Sequence, residues 1–173
     1  MIVNINAMRV YIMGFMGSGK TYWGSQWADY HKMSFIDLDK QMEVAEGITI
    51  EEIFTQKGEH YFRSLEAATL RSTAQLENAI IACGGGTPCY ENNIDWIKEN
   101  GTAVFIDATP EVLMNNLLEE KNKRPLIKHL NADELLPFIK DKIAERNFYY
   151  QQANLLLPYS ALTVHSLENL ISS

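Results

Sequence analysis

The chain of 173 residues is poor in cysteine, with only Cys83 and Cys89. Two cysteines without a second pair or a histidine cluster exclude a disulfide framework and complete no zinc-ligand spacing, so both are read as reduced thiols. Basic residues are also few: 15 Lys and Arg stand against 22 Asp and Glu, for a net charge of −7. A field of that sign repels nucleic acid and anionic membranes, so neither is an expected partner, and any anionic ligand must meet a local group of cations. No apolar run approaches the length of a membrane span, and the N-terminal stretch is not a basic leader followed by unbroken apolar sequence. Repeats, low-complexity tracts and interdomain linkers are lacking too. A single domain, 1–173, is therefore expected, long enough to bury a sizeable core, monomeric and cytoplasmic.

What is present begins at residues 14–21, Gly-Phe-Met-Gly-Ser-Gly-Lys-Thr, straight after the apolar Val10-Tyr11-Ile12-Met13. This is the phosphate-loop pattern G-x-x-x-x-G-K-[ST] following a strand, which predicts binding of a nucleoside triphosphate. Gly14, Gly17, Ser18, Gly19, Lys20, Thr21 and Tyr22 are the candidate nucleotide contacts. Glycines let successive N–H groups turn inward around a phosphate, Lys20 supplies a mobile cation, and the helix that follows points its positive end at the anion. The Thr21 hydroxyl is a candidate ligand for Mg²⁺.

Apolar runs alternate with amphipathic segments, which predicts a parallel sheet with helices on both faces. Strands are expected at 9–13, 34–36, 79–82, 102–106 and 155–157. Between the second and third lie more helical residues than one crossover needs. Thr49-Ile50-Glu51-Glu52 reads as a capping box and 61–76 has helical periodicity, so 37–76 is read as an inserted helical segment that binds substrate. Thr109-Pro110 reads as an N-cap with proline at the first helical position. The polar piece 119–123, leading into Arg124-Pro125, reads as the start of a loop over the site, about 119–132.

Asp37-Leu38-Asp39 closes the second expected strand, and in extended backbone residues two apart project to one side, so both carboxylates are expected to face the phosphate site. Asp37 is the candidate metal ligand beside Thr21, and Asp39 the candidate base for a substrate hydroxyl, although either aspartate could simply cap the helix that follows. Cys83-Gly84-Gly85-Gly86 ends the third strand at the same sheet edge, where bare backbone permits a close ligand. Arg63 and Arg146 are candidate forks for a substrate carboxylate, but Glu59 and Glu66 stand at helical spacing from Arg63, so a solvated helix face explains it equally well.

In this order, these residues resemble the shikimate kinase family along nearly the whole chain. The phosphate loop, Asp37 with Asp39, Phe62-Arg63 with Glu66, Gly84-Gly85-Gly86, Arg124-Pro125-Leu126, and Arg146 with Tyr150 match its successive motifs. The resemblance implies a P-loop NTPase-type three-layer αβα fold with a central five-stranded parallel sheet, a helical substrate-binding insertion and a lid loop. It implies transfer of the γ-phosphoryl group of ATP, with Mg²⁺, to the 3-hydroxyl of shikimate in aromatic amino acid biosynthesis. Carried over, Arg63 and Arg146 hold the shikimate carboxylate, Asp39, Gly85 and Gly86 its hydroxyl side, and Arg124 the phosphates from the lid, while Thr21 and Asp37 serve the metal. Lys20, Asp39 and Arg124 are then the catalytic set. Three positions depart from the family pattern: Cys83 replaces a common threonine, Phe148 a common proline, and Leu117 falls where an arginine commonly stacks on adenine. The adenine loop of the family falls near Thr163.

Overall fold

The sheet is built around a strand that has no polar face. In β1 (Arg9–Met13), Tyr11 and Met13 point into one apolar layer while Val10 and Ile12 point into another, so both sides need cover. A computed structural model describes residues 8–120 and 127–171, Glu120 in its backbone only. Beside β1 lie β2 (Ser34–Asp37), β3 (Ala79–Ala82), β4 (Thr102–Asp107) and β5 (Leu155–Pro158), all parallel in the order β2-β3-β1-β4-β5. Each expected strand is present, and β2, β4 and β5 run one residue beyond the expected end.

On one face, α1 (Lys20–His31) contributes Trp27 and Ala28, and the C-terminal stretch with α7 (Glu168–Ile171) contributes Leu167. The other face is covered from α3 (Ile50–Ser72), α4 (Asn93–Asn100) and α6 (Ala132–Tyr150) by Leu70, Ile94, Ile97 and Tyr150. This is the expected three-layer fold. Chain connections leave β1 toward β2 and leave β3 toward β4, so the order reverses at β1, and the crevice beyond its carboxyl end is where such sheets bind ligands.

The helical insertion consists of α2 (Leu38–Glu46) and α3, which close over a small core of Met42, Ile53 and Phe62. Thr49 and Glu52 form the expected capping box at its start, and Gly58 at φ 82° breaks α3 into two helical pieces. The helix expected to reach 76 ends at Ser72, followed by a single 3₁₀ turn, Thr73–Gln75. Thr109 caps α5 (Pro110–Glu120) by accepting the Val112 N–H at 3.3 Å. Of the expected lid 119–132, residues 119 and 120 close α5, Ile127 is buried against Leu113, Leu117 and Leu135, and 132 begins α6. Arg124, with the rest of 121–126, lies outside the described residues.

Candidate active site

Beyond β1 the backbone makes a tight loop: Gly17 and Gly19 take φ of 81° and 83°, a region that side chains rarely adopt, and α1 begins at Lys20. Lys20 Nζ donates to the carbonyls of Gly14 at 2.8 Å and Phe15 at 3.0 Å, so the ammonium lies across the loop mouth. Gly17, Gly19, Lys20, Thr21 and Tyr22 line a cleft of about 550 Å³ together with Asp37, Asp39, Gly84 and Gly85. Gly14 does not line the cleft, and Ser18 is fully buried with its hydroxyl beneath the loop, where a methyl group on Gly14 would come within 2.7 Å of it.

The aspartate pair reaches the cleft by a different route from the one expected. Asp37 ends β2 and turns the chain at once into α2, its carboxylate accepting the Lys40 N–H at 3.2 Å as the helix N-cap. Asp39 is therefore in the first helical turn rather than in extended backbone, yet both residues line the cleft. Capping is not the whole work of Asp37: its other oxygen accepts the Thr21 hydroxyl at 2.7 Å. A hydroxyl and a carboxylate side by side at the head of α1 are hard oxygen donors of the kind Mg²⁺ takes alongside phosphate and water, so the residues fit that ion. Burial, then the neighbouring Asp37 and Glu66, pushes the Asp39 carboxyl up to about 6, against a smaller opposing effect of Lys20.

Three successive glycines close the far side. A methyl group on Gly84 would lie 2.9 Å from Glu66 Oε1 and 3.1 Å from Asp39 Oδ1. One on Gly85 would lie 3.2 Å from Arg146 Nη1 and 3.4 Å from the Met16 nitrogen of the phosphate loop, and one on Gly86 3.0 Å from Arg63 Nη1. Residues 39, 63 and 146, far apart in sequence, thus converge on one strip of bare backbone. Tyr150 fixes that strip by donating its hydroxyl to the Gly85 carbonyl, and burial raises the tyrosine pKa.

Arg63 pairs with both acids that helical spacing offered, Glu66 at 2.9 Å and Glu59 at 3.4 Å, but its face is not solvated. Its side chain is 11% exposed and that of Glu66 1%, and the guanidinium stacks 3.8 Å from the Tyr90 ring centre. Glu66 also accepts the Thr87 hydroxyl at 2.6 Å, so the buried carboxylate has a partner on each oxygen. Arg146 lies over the Phe15 ring at 5.4 Å, linking the phosphate loop to the glycine strip. Cys83 lines the cleft floor and Cys89 lies close by; burial raises both thiols, Cys89 to about 11.

Leu117 is not at the cleft. It is fully buried in the core between α5 and α6, pressed against Gly17, and Asn116 is the residue of that turn that lines the cleft. Asn116 and Glu119 escaped the sequence reading, although Pro110 at the helix start and the apolar pair Leu113 and Leu117 fix which face of α5 is polar.

A family model described as shikimate kinase matches residues 16–168. A shikimate kinase of Bacteroides fragilis is 38% identical over 149 residues, 86% of this chain and 83% of that protein. The crystal structure of shikimate kinase from Bacteroides thetaiotaomicron superposes with a TM-score of 0.91 at 34% identity, covering 96% of this chain and 99% of that one. The shikimate kinase of Acinetobacter baumannii in complex with shikimate gives a TM-score of 0.82 at 28% identity, covering 95% and 90%. With its motifs in register on this fold, the chain belongs to the shikimate kinase family.

Proposed function

We propose that this chain transfers the γ-phosphoryl group of ATP to the 3-hydroxyl of shikimate, giving shikimate 3-phosphate, in the biosynthesis of aromatic amino acids. Family membership supports the reaction. The single observation that carries the assignment of residues is the convergence of Asp39, Arg63 and Arg146 on the triple glycine beside the phosphate loop. Two guanidinium groups there suit a substrate with one carboxylate, which each can grip through paired N–H donors.

In this reading the loop amides and Lys20 hold the triphosphate at one end of the cleft. Arg63 and Arg146 anchor the carboxylate at the other, which orients the hydroxyl at Asp39. The hydroxyl oxygen bonds to the γ-phosphorus as the bond to the ADP oxygen breaks, and its proton passes to Asp39. A carboxyl with a pKa of about 6 is ionised near neutral pH yet basic enough to take that proton. Thr21 and Asp37 would hold Mg²⁺, which when bound offsets phosphate charge. Arg124 is assigned to the phosphates on its place in the family motif alone. A complete set of candidate groups within one chain supports action as a monomer, and two unpaired thiols support a cytoplasmic setting.

Phosphorus NMR of the product made from MgATP and shikimate tests the reading: a single phosphate monoester on the 3-hydroxyl is expected. Phosphate at another hydroxyl, or hydrolysis of ATP without transfer, would overturn it.

A further inference from the structure

Asn116 lines the cleft from α5, and its amide nitrogen has two protons to give. Both are used: the nitrogen lies 2.9 Å from the Gly17 carbonyl and 3.3 Å from the Tyr159 hydroxyl. Tyr159 is a firm post, since the segment after β5 that carries it is anchored where Trp27 Nε1 donates to the Thr163 carbonyl at 2.8 Å. The bond to Gly17 falls on a peptide that glycine leaves free to swing, at φ 81°. That carbonyl and the N–H of Ser18 belong to one rigid plane, so fixing one aims the other. The Ser18 N–H is itself held by the Phe15 carbonyl at 3.2 Å, and Leu117 closes on Gly17 from below, where a methyl group would meet it at 2.9 Å. The peptide is thus pinned on its carbonyl side by Asn116 and on its N–H side by the loop.

We propose that Asn116, braced by Tyr159, is a positioning residue for the nucleotide phosphates, acting through the Gly17–Ser18 peptide rather than by touching the base. The proposal rests on the reading that the cleft binds ATP. Without the amide the loop must be ordered each time a triphosphate arrives, and that cost falls on phosphate affinity while the carboxylate end is untouched.

Calorimetric titration with MgATP and, separately, with magnesium tripolyphosphate, which has no base, distinguishes the routes. Asn116→Ala is expected to weaken both ligands by the same factor, about tenfold, and Tyr159→Phe both by about threefold. The double variant should bind no more weakly than Asn116→Ala, because the hydroxyl acts through the amide. At saturating ATP, kcat and the KM for shikimate should stay within about twofold of wild type. Weakening of ATP alone would make Asn116 a base contact and overturn the proposal, as would unchanged affinity for both or a shift in the shikimate KM. Losses that multiply in the double variant would remove Tyr159 from it. Should Asn116→Ala not fold, Tyr159→Phe, which removes one oxygen, carries the same comparison of ligands. If wild-type protein binds neither ligand, the reading of the cleft as an ATP site fails, a result distinct from all of these.

Discussion

The two ends of the cleft are made of different material. At the phosphate end the groups in place are main-chain amides and carbonyls of a glycine loop, with one ammonium lying across them. At the other end they are ionisable side chains, two arginines and two acids, laid against three bare glycines and partly sealed from water. A backbone site is specified by a short run of torsions, whereas a buried charged site depends on every partner being present at once. Substitutions should therefore act locally at the first end and propagate into stability at the second.

The largest effect is expected from Lys20→Ala. Removing the cation at the loop mouth should lower kcat by at least about 10³-fold, since charge stabilisation of the transferring phosphoryl group is lost, while the melting temperature barely moves. Steady-state kinetics beside thermal denaturation checks both halves, and an unfolded variant would break the contrast drawn between the two ends.

Asp39→Asn comes next, with a loss of about 10² to 10⁴ in kcat from removing the base. Its stability should move the other way. The folded protein holds this carboxyl up at about 6 against an ordinary 3.8, so it keeps a proton that the unfolded chain has already released. Asp39 therefore contributes stability that is fully present below the ordinary value and lost as pH rises through about 6. At pH 7 the asparagine variant should melt higher than wild type, and below pH 4 the gain should vanish. For wild type, kcat/KM for shikimate should fall as pH drops through about 6.

Arg63→Ala and Arg146→Ala should each weaken shikimate binding by roughly 2 kcal/mol, about 30-fold, with ATP affinity nearly unchanged. They should part in stability. Arg63→Ala strands the buried Glu66 without its cation and should cost about 3 kcal/mol, whereas Arg146 faces an aromatic ring and a tyrosine and should cost far less. Shikimate titrations and urea denaturation of both variants measure this directly. Equal losses of stability would mean that Glu66 does not depend on Arg63.

The smallest effects compare like with like. A methyl group added at Gly17 meets Leu117 Cγ at 2.9 Å and strains a positive φ, while one added at Gly86 meets the Arg63 fork at 3.0 Å. Gly17→Ala is expected to raise the KM for ATP, and Gly86→Ala the KM for shikimate, by about tenfold or less. Crossed effects would show that the cleft is one mechanical unit.

The same difference in material governed what could be read from sequence. The loop occupies one run, 14–21, and its chemistry follows from the order of residues alone. All five strands were legible because each is a short apolar run, and the caps at Thr49 and Thr109 followed from local pattern. At the carboxylate end, helical spacing gave Arg63 two acidic neighbours and left a solvated face equally open; only the folded chain places Tyr90 and Gly86 against it. Resemblance to a family singled out Arg63 and Arg146 there without supplying the contacts that hold them. The reading of Asp37 and Asp39 as an extended pair missed that an aspartate after a strand can cap a helix at once. Leu117 falls, by resemblance, where the family commonly has an arginine on adenine, and the sequence does not show that burial turns this position inward and leaves Asn116 at the cleft.

Side-by-side turnover of shikimate, quinate and gluconate, followed as ADP release with saturating MgATP, tests most directly whether two arginines over a triple glycine select one acid. Shikimate should be turned over far faster than the other two, and Arg146→Ala should lose that preference through KM. Equal turnover of gluconate, or none of shikimate, would contradict both the proposed reaction and the role given to the carboxylate end.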